Sequence, residues 1–149
     1  MTWARTGPSR VELTVAAEGW RGGPARFQVP WPPRPRADLL PQVLSVMRQQ
    51  PALTLTETST SDTSGPTPPS TTLQMTGAAL VDREPYRSGV VSSVVELGRD
   101  GGATEVGFAI TGEGIFVRLV VDDAGRILRE EITSPNHLIV HTFSYPSAG

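Results

Sequence analysis

The sequence contains no cysteine and no lysine among its 149 residues, so all 13 basic residues are arginine. Without cysteine, the chain has no disulfide, no thiolate nucleophile and no sulfur-rich metal site. Without lysine, it forms no Schiff base and holds no phosphate with a P-loop lysine. A net charge of −2 gives no electrostatic reason to expect nucleic acid or an anionic membrane as a partner. We therefore expect no nucleic-acid partner.

Long apolar runs are also missing. No stretch approaches the ~20 apolar residues of a membrane-spanning helix. The first residues, MTWARTGPSR, lack the apolar core of a secretory signal peptide. We expect an extracytoplasmic location if the chain belongs to a longer exported protein, and a cytoplasmic location stays open.

Turn-forming residues are plentiful, with 15 glycines and 14 prolines. Together with many serines and threonines, they favour turns and solvated strand faces over long helices. This composition excludes an all-helical bundle. The length fits about one domain of ordinary size.

The N-terminal part has the pattern of a β-hairpin followed by a stiff linker. Apolar and polar residues alternate in residues 10–17 and again in residues 25–29, which is typical of half-buried strands. Residues 30–36 read PWPPRPR and favour an extended path, because proline offers no backbone donor. We predict two parts: residues 1–36, with the hairpin and the Pro-rich linker, and residues 37–149.

One helix follows the linker. Asp38 stands where an N-cap is expected, and Pro51 bars continuation beyond Gln50. Apolar residues recur with helical spacing and form one stripe at Leu40, Val43, Leu44 and Met47. A helix of this length is marginal alone in water, so we expect the stripe to pack on a sheet.

The rest of the chain has the pattern of an antiparallel meander. Short turns rich in Gly, Asp and Asn join only antiparallel neighbours, because a parallel return needs a dozen residues or more. The predicted strands are residues 52–60, 71–80, 89–97, 103–111, 114–122, 126–133 and 138–145. We predict an α+β fold: a curved antiparallel half-barrel of about seven strands wrapped on one helix and preceded by a β-hairpin.

Two resemblances bear on function. The closing segment, VRLVVDDAGRILREEITSPNHLIVHTFSY, resembles the last meander of lipoprotein-carrier-like half-barrels, with Asp122, Gly125, Phe143 and Tyr145 at the matching points. The chain as a whole resembles soluble C-terminal segments of copper-resistance-type membrane proteins of high-GC bacteria, through VELTV, GPARFQV, VLSVMRQQPALTLTETSTS and PYRSG. These resemblances imply an extracytoplasmic module of a membrane protein, with a curved sheet over an apolar cavity.

An apolar cavity has candidate lining residues. A half-barrel with one helix can enclose such a cavity, and branched or aromatic side chains suit an apolar ligand or lipid. The alternative is a filled core. The candidate lining residues are Leu44, Met47, Val106, Phe108, Ile110, Phe116 and Val120.

Metal ligands are few. His137 and His141 lie four residues apart in a predicted strand, which spans about 13 Å and is too far for one ion. The internal thioethers are Met47 and Met75; Met47 belongs to the apolar stripe of the helix, and Met75 alternates with a leucine as a core residue does. A metal-handling accessory domain using His137, His141 or Met75 is therefore a minor alternative.

Enzyme chemistry has one candidate base. His141 would need an acid or an oxyanion donor beside it, and Arg118 and Glu131 are the nearest residues in the predicted strands. Glu130 and Glu131 point to opposite faces of a strand, so they do not form an acid–base pair. We predict a non-enzymatic binding module without a cofactor. Its expected partners are an apolar small molecule or lipid and a parent membrane protein, and a small α+β-barrel enzyme is the alternative.

Overall fold

The computed structural model describes residues 2–7, 10–14, 16–17, 20–21, 25–28, 33–61, 68–83, 85–87 and 90–146. The chain divides into two compact units, Met1–Pro33 and Arg34–Gly149. None of the described helices is long and apolar enough to cross a membrane.

The first unit contains short antiparallel strands. They are β1 (Thr2–Gly7), β2 (Arg10–Thr14), β3 (Ala16–Ala17), β4 (Trp20–Arg21) and β5 (Ala25–Gln28). Strands β1, β2 and β5 form one sheet in that order, and β3 pairs with β4. The pairing of β2 with β5 matches the predicted hairpin, with Val11 opposite Phe27. Residues 22–24 of the predicted turn, Val29 of the predicted strand and residues 30–32 of the Pro-rich segment lie outside the described residues.

The second unit is one open antiparallel sheet with two short helices in its described part. Its elements are β6 (Arg34–Pro35), α1 (Leu39–Arg48), β7 (Leu53–Ser61), β8 (Thr71–Met75), α2 (Gly77–Val81), β9 (Val91–Asp100), β10 (Ala103–Ile110), β11 (Ile115–Val121), β12 (Ile127–Thr133) and β13 (His137–Ser144). The eight strands follow the order β6-β9-β10-β11-β12-β13-β7-β8. This is the predicted α+β fold, a curved half-barrel sheet packed on helix α1.

One strand of the second unit was not predicted. Arg34 and Pro35 form β6 and pair with Glu96 and Val95 of β9, at the edge of the sheet where proline is tolerated. The guanidinium of Arg36 then donates to the Glu96 carboxylate at 3.2 Å. The segment expected to be part of a linker thus ends in an edge strand of the second unit's sheet.

Helix α1 agrees with the predicted stripe. Leu40, Val43 and Met47 are buried against the sheet. Asp38 occupies the N-cap position, but its side chain makes no capping hydrogen bond. Its carboxylate accepts instead from the Arg36 guanidinium, at 3.0 and 2.9 Å.

Helix α2 corrects the prediction of a strand over residues 71–80. Strand β8 ends at Met75, and the Thr76 hydroxyl caps the new helix by accepting from the Ala79 N–H at 3.1 Å. Gly77 permits close contact with α1, because a Cβ there would lie 1.6 Å from the Met47 carbonyl oxygen. The Gly77 N–H donates to the Gln50 carbonyl at 2.9 Å. These contacts outweigh the alternating pattern of the segment.

The core lies on one face of the sheet, which we call the inner face. Directly opposite residues of neighbouring strands share a face, and Val106 faces Leu119 while Phe108 faces Val117. All four are nearly inaccessible to solvent. The other face of the sheet is called the outer face below.

Candidate functional site

A row of polar side chains crosses the inner face. Glu130 of β12 lies directly opposite His141 of β13, and His141 lies directly opposite Glu57 of β7. Glu130 also lies opposite the buried Leu119 of β11, which places the row on the core side of the sheet. Tyr86, in the segment after α2, donates its hydroxyl to Glu130. We call Glu57, His141, Glu130 and Tyr86 the buried polar row.

Hydrogen bonds connect the row from end to end. His141 Nδ1 lies 2.5 Å from Glu130 Oε2, and His141 Nε2 lies 2.9 Å from Glu57 Oε2. Solvent access increases along the row: the Glu130 side chain is 1% exposed, His141 13% and Glu57 37%. The row therefore runs from the core to the solvent.

The environment favours a protonated His141. Burial lowers the pKa of this imidazole, but the hydrogen bonds and negative charges of Glu130 and then Glu57 outweigh burial and raise the pKa above its usual 6.5. The imidazolium donates from both nitrogens, one to each carboxylate. Burial and the nearby Glu130 charge raise the pKa of the Tyr86 phenol well above 10, so Tyr86 stays a neutral donor.

This arrangement corrects the expected surroundings of His141. Arg118 and Glu131 lie opposite each other on the outer face, where the guanidinium donates to Glu131 at 3.4 Å. They cannot assist His141, because neighbours on a strand point to opposite faces. The separation of Glu130 from Glu131 by face is as predicted. Both nitrogens of His141 are engaged by carboxylates, so neither is free to take a substrate proton.

Sequence reasoning did not identify Glu57, Glu130 and Tyr86 as members of a site with His141; it considered Glu130 only as a pair with Glu131. Glu57 is the one charged residue in a threonine-rich strand, and Glu130 follows apolar and basic residues in a short strand. For Glu57, an isolated acid in an otherwise uncharged strand was the available signal; Glu130, between Arg129 and Glu131, offered no such signal. The pairing register that places both beside His141 is not visible in the sequence.

The seven candidate lining residues divide among three places. Met47, Val106, Phe108 and Ile110 are at most 3% exposed and belong to the packed core. Leu44 is half-buried on the side of α1 that faces α2. Phe116 and Val120 lie on the outer face, and Phe116 is 43% exposed. The set does not surround one space.

The metal candidates are also separated. His137 is exposed at the start of β13, four residues from His141. Met75 ends β8 opposite Leu53 and packs against the core. Among the described residues, no group of three or more His, Asp or Glu side chains is placed to hold a metal ion.

A groove between the two helices reaches the buried polar row. Its volume is about 440 Å³, and its lining residues are Pro41, Leu44, Ser45, Arg48, Val81, Asp82, Tyr86 and Arg87. The close approach at Gly77 holds α2 beside α1 and so forms the two walls. Tyr86 belongs both to this groove and to the row. Leu44 is the one predicted lining residue that contributes to it.

The sequence was compared with protein-family models and with curated protein sequences. No family model matches the chain, and no curated sequence matches it.

Proposed function

We propose that the protein is a non-enzymatic binding module and that its ligand is an amphiphile with an anionic head, held in the groove between α1 and α2. The observation that carries this proposal is that Pro41 and Leu44 of α1 line that groove together with Arg48 and Arg87. Binding sites for small molecules typically pair apolar lining with a few polar groups that fix orientation.

The apolar part of the ligand would contact the helix walls. Leu44 and Pro41 present apolar surface from α1, and Val81 forms part of the α2 wall. The predicted cavity inside the sheet has no comparable support, because Phe108 and Met47 are 0% exposed in a packed core. The proposal therefore keeps the apolar ligand of the sequence-based prediction and moves it to the groove.

The head of the ligand would meet two arginines. Arg48 and Arg87 line the groove with one carboxylate, Asp82, which leaves a net positive charge. The Arg48–Asp82 pair is long, at 3.4 Å, and both side chains are more than half exposed. Exposed pairs of this kind contribute little, so Arg48 can turn to an anionic head at small cost.

An enzymatic role has less support. A general base needs a free nitrogen near the substrate, and each nitrogen of His141 already faces a carboxylate. Association with a copper-handling membrane protein outside the cytoplasm stays a prediction that rests on the resemblance alone.

Calorimetric titration with decanesulfonate tests the proposal. The uncharged decanol and the cationic decyltrimethylammonium serve as matched probes, and we expect both to bind more weakly because they cannot pair with Arg48 and Arg87. Comparable affinity for all three probes would contradict the role of the arginines.

Two tryptophan variants locate the site. Ser45 is exposed and lines the groove, so S45W fills the groove without disturbing the core. We expect it to weaken decanesulfonate binding at least about tenfold, the effect of roughly 1.4 kcal/mol. Q42W is the control, because Gln42 lies on the same helix and lines a different groove with Val46 and Gly125. Loss of binding in Q42W instead of S45W would overturn the assignment.

A further inference from the structure

The buried polar row and the groove share one residue. Tyr86 lines the groove, and its hydroxyl donates to Glu130, which in turn contacts His141. A change of charge at His141 is therefore felt at the groove through two hydrogen bonds. The ring centroids of Tyr86 and Phe108 are 6.5 Å apart, so packing against the core fixes the position of Tyr86.

The charge of the row changes with one proton. With His141 protonated, the two carboxylates and the imidazolium sum to −1, and without that proton they sum to −2. The other residues directly opposite members of the row are Leu119 of β11 and Thr71 of β8, which carry no charge. The Phe143 ring packs edge-on to the imidazole, with ring centroids 6.2 Å apart. The charge sum is therefore set by Glu57, His141 and Glu130.

Loss of the proton also breaks one contact. Neutral His141 can keep its Nδ1 proton for Glu130, which is buried and needs a donor. The lone pair of Nε2 then faces Glu57 Oε2, 2.9 Å away. That contact becomes repulsive, and the 37% exposed Glu57 can turn to water while Glu130 cannot.

We propose that the buried polar row is a pH-operated control of the groove: protonated His141 favours binding of the anionic amphiphile, and deprotonated His141 favours its release. The inference rests on the proposed function of the groove. Tyr86 connects the row to the groove, because its hydroxyl contacts Glu130 and its ring lines the groove. A second negative charge in the row therefore repels an anion that is bound beside the Tyr86 ring. Linkage is reciprocal, so the bound anion must in turn favour the protonated imidazole.

Imidazole NMR spectra test the protonation of His141 directly. The chain has two histidines, so the exposed His137 supplies the only other signal. We expect the His141 signal to report a pKa above 6.5 that rises further when decanesulfonate saturates the groove. E57Q removes one carboxylate at the exposed end of the row and should lower that pKa. An unchanged pKa in both comparisons would overturn the control.

Binding measured against pH completes the test. Decanesulfonate keeps its charge between pH 6 and pH 8.5, so the probe itself does not titrate. We expect affinity roughly fivefold weaker at the higher pH, an ordinary size for coupled sites. H141Q should abolish the pH dependence, H137N should preserve it, and E57Q should move its midpoint to lower pH.

The outcomes separate the two proposals. If S45W binds decanesulfonate as the unmodified protein does, the groove is not the site and the proposed function fails, whatever the NMR titration shows. If S45W weakens binding as expected but the unmodified protein binds decanesulfonate equally well at both pH values, the groove is the site and the pH control is overturned. If H141Q does not fold, the pH midpoint of binding in E57Q decides whether the control exists. This variant should fold, because Glu57 is partly exposed and the glutamine amide can still accept a hydrogen bond from the imidazole.

Discussion

Glu130 and Glu131 are adjacent, yet their environments differ completely. The alternation of a strand puts Glu130 on the inner face at 1% exposure and Glu131 on the outer face beside Arg118 and Arg129. A buried carboxylate persists only with partners, and Glu130 has Tyr86 and His141. Among the residues of the row, Glu130 should therefore contribute most to the free energy of unfolding.

Alanine substitutions of the two glutamates should differ accordingly. E130A leaves a buried imidazolium without its nearest carboxylate, and we expect a loss of about 3–5 kcal/mol in the free energy of unfolding. E131A removes only half-exposed ion pairs, so its cost should stay below about 1 kcal/mol. Urea denaturation of both variants checks this, and equal losses would show that Glu130 is not the buried anchor.

The raised pKa of His141 makes stability depend on pH. Above the ordinary value of 6.5, the unfolded chain releases the imidazole proton while the folded protein keeps it. The contribution is therefore complete below about pH 6.5 and is lost as the pH rises through the higher folded pKa. Urea midpoints measured across this range should fall with rising pH in the unmodified protein and in H137N. A fall of the same size in H141Q would contradict the assignment to His141.

Helices α1 and α2 differ in how far their sequences reveal them. Four apolar residues at helical spacing and a closing proline made α1 predictable. Helix α2 has five residues, too few to establish a period, and it follows directly on a strand. The capping Thr76 was a local signal, but the contact of Gly77 with the Met47 carbonyl is tertiary. Periodicity therefore identified one helix, and packing determines the other.

Gly77 should be intolerant of any side chain. A Cβ at 1.6 Å from the Met47 carbonyl oxygen forces α2 away from α1 and opens the groove wall. We expect G77A to cost about 3 kcal/mol, at the upper end of overpacking effects. The control A79G changes an exposed position of the same helix and should cost only about 1 kcal/mol. Thermal unfolding of both variants checks this, and a harmless G77A would refute the close packing.

At the scale of the whole molecule, local turns revealed the sheet but not its polar row. Short Gly- and Asp-containing turns between β9 and β13 predicted antiparallel neighbours, and the structure has them. The row depends on the pairing of β13 with β7, which brings His141 to Glu57 across 84 residues of sequence. No local pattern specifies that register. The groove likewise depends on how two helices pack.

The second unit should fold alone if the chain is cut before Arg34. The fragment of residues 34–149 keeps β6 and the Arg36–Glu96 ion pair, so we expect it to retain a cooperative transition. The fragment of residues 37–149 loses both, and its Tm should lie about 4 °C lower. Calorimetry of the two fragments checks this. Equal Tm values would place the boundary between the two folding units after Arg36, as the sequence predicted.

The central claim is the proposal that the protein binds an anionic amphiphile between α1 and α2. Mapping of backbone amide NMR shifts during titration with decanesulfonate tests it most directly. We predict saturable shifts concentrated at Leu44, Ser45, Val81 and Tyr86, with Phe108 in the packed core nearly unmoved. Shifts centred on Phe108, or no saturable shifts at any residue, would contradict the account.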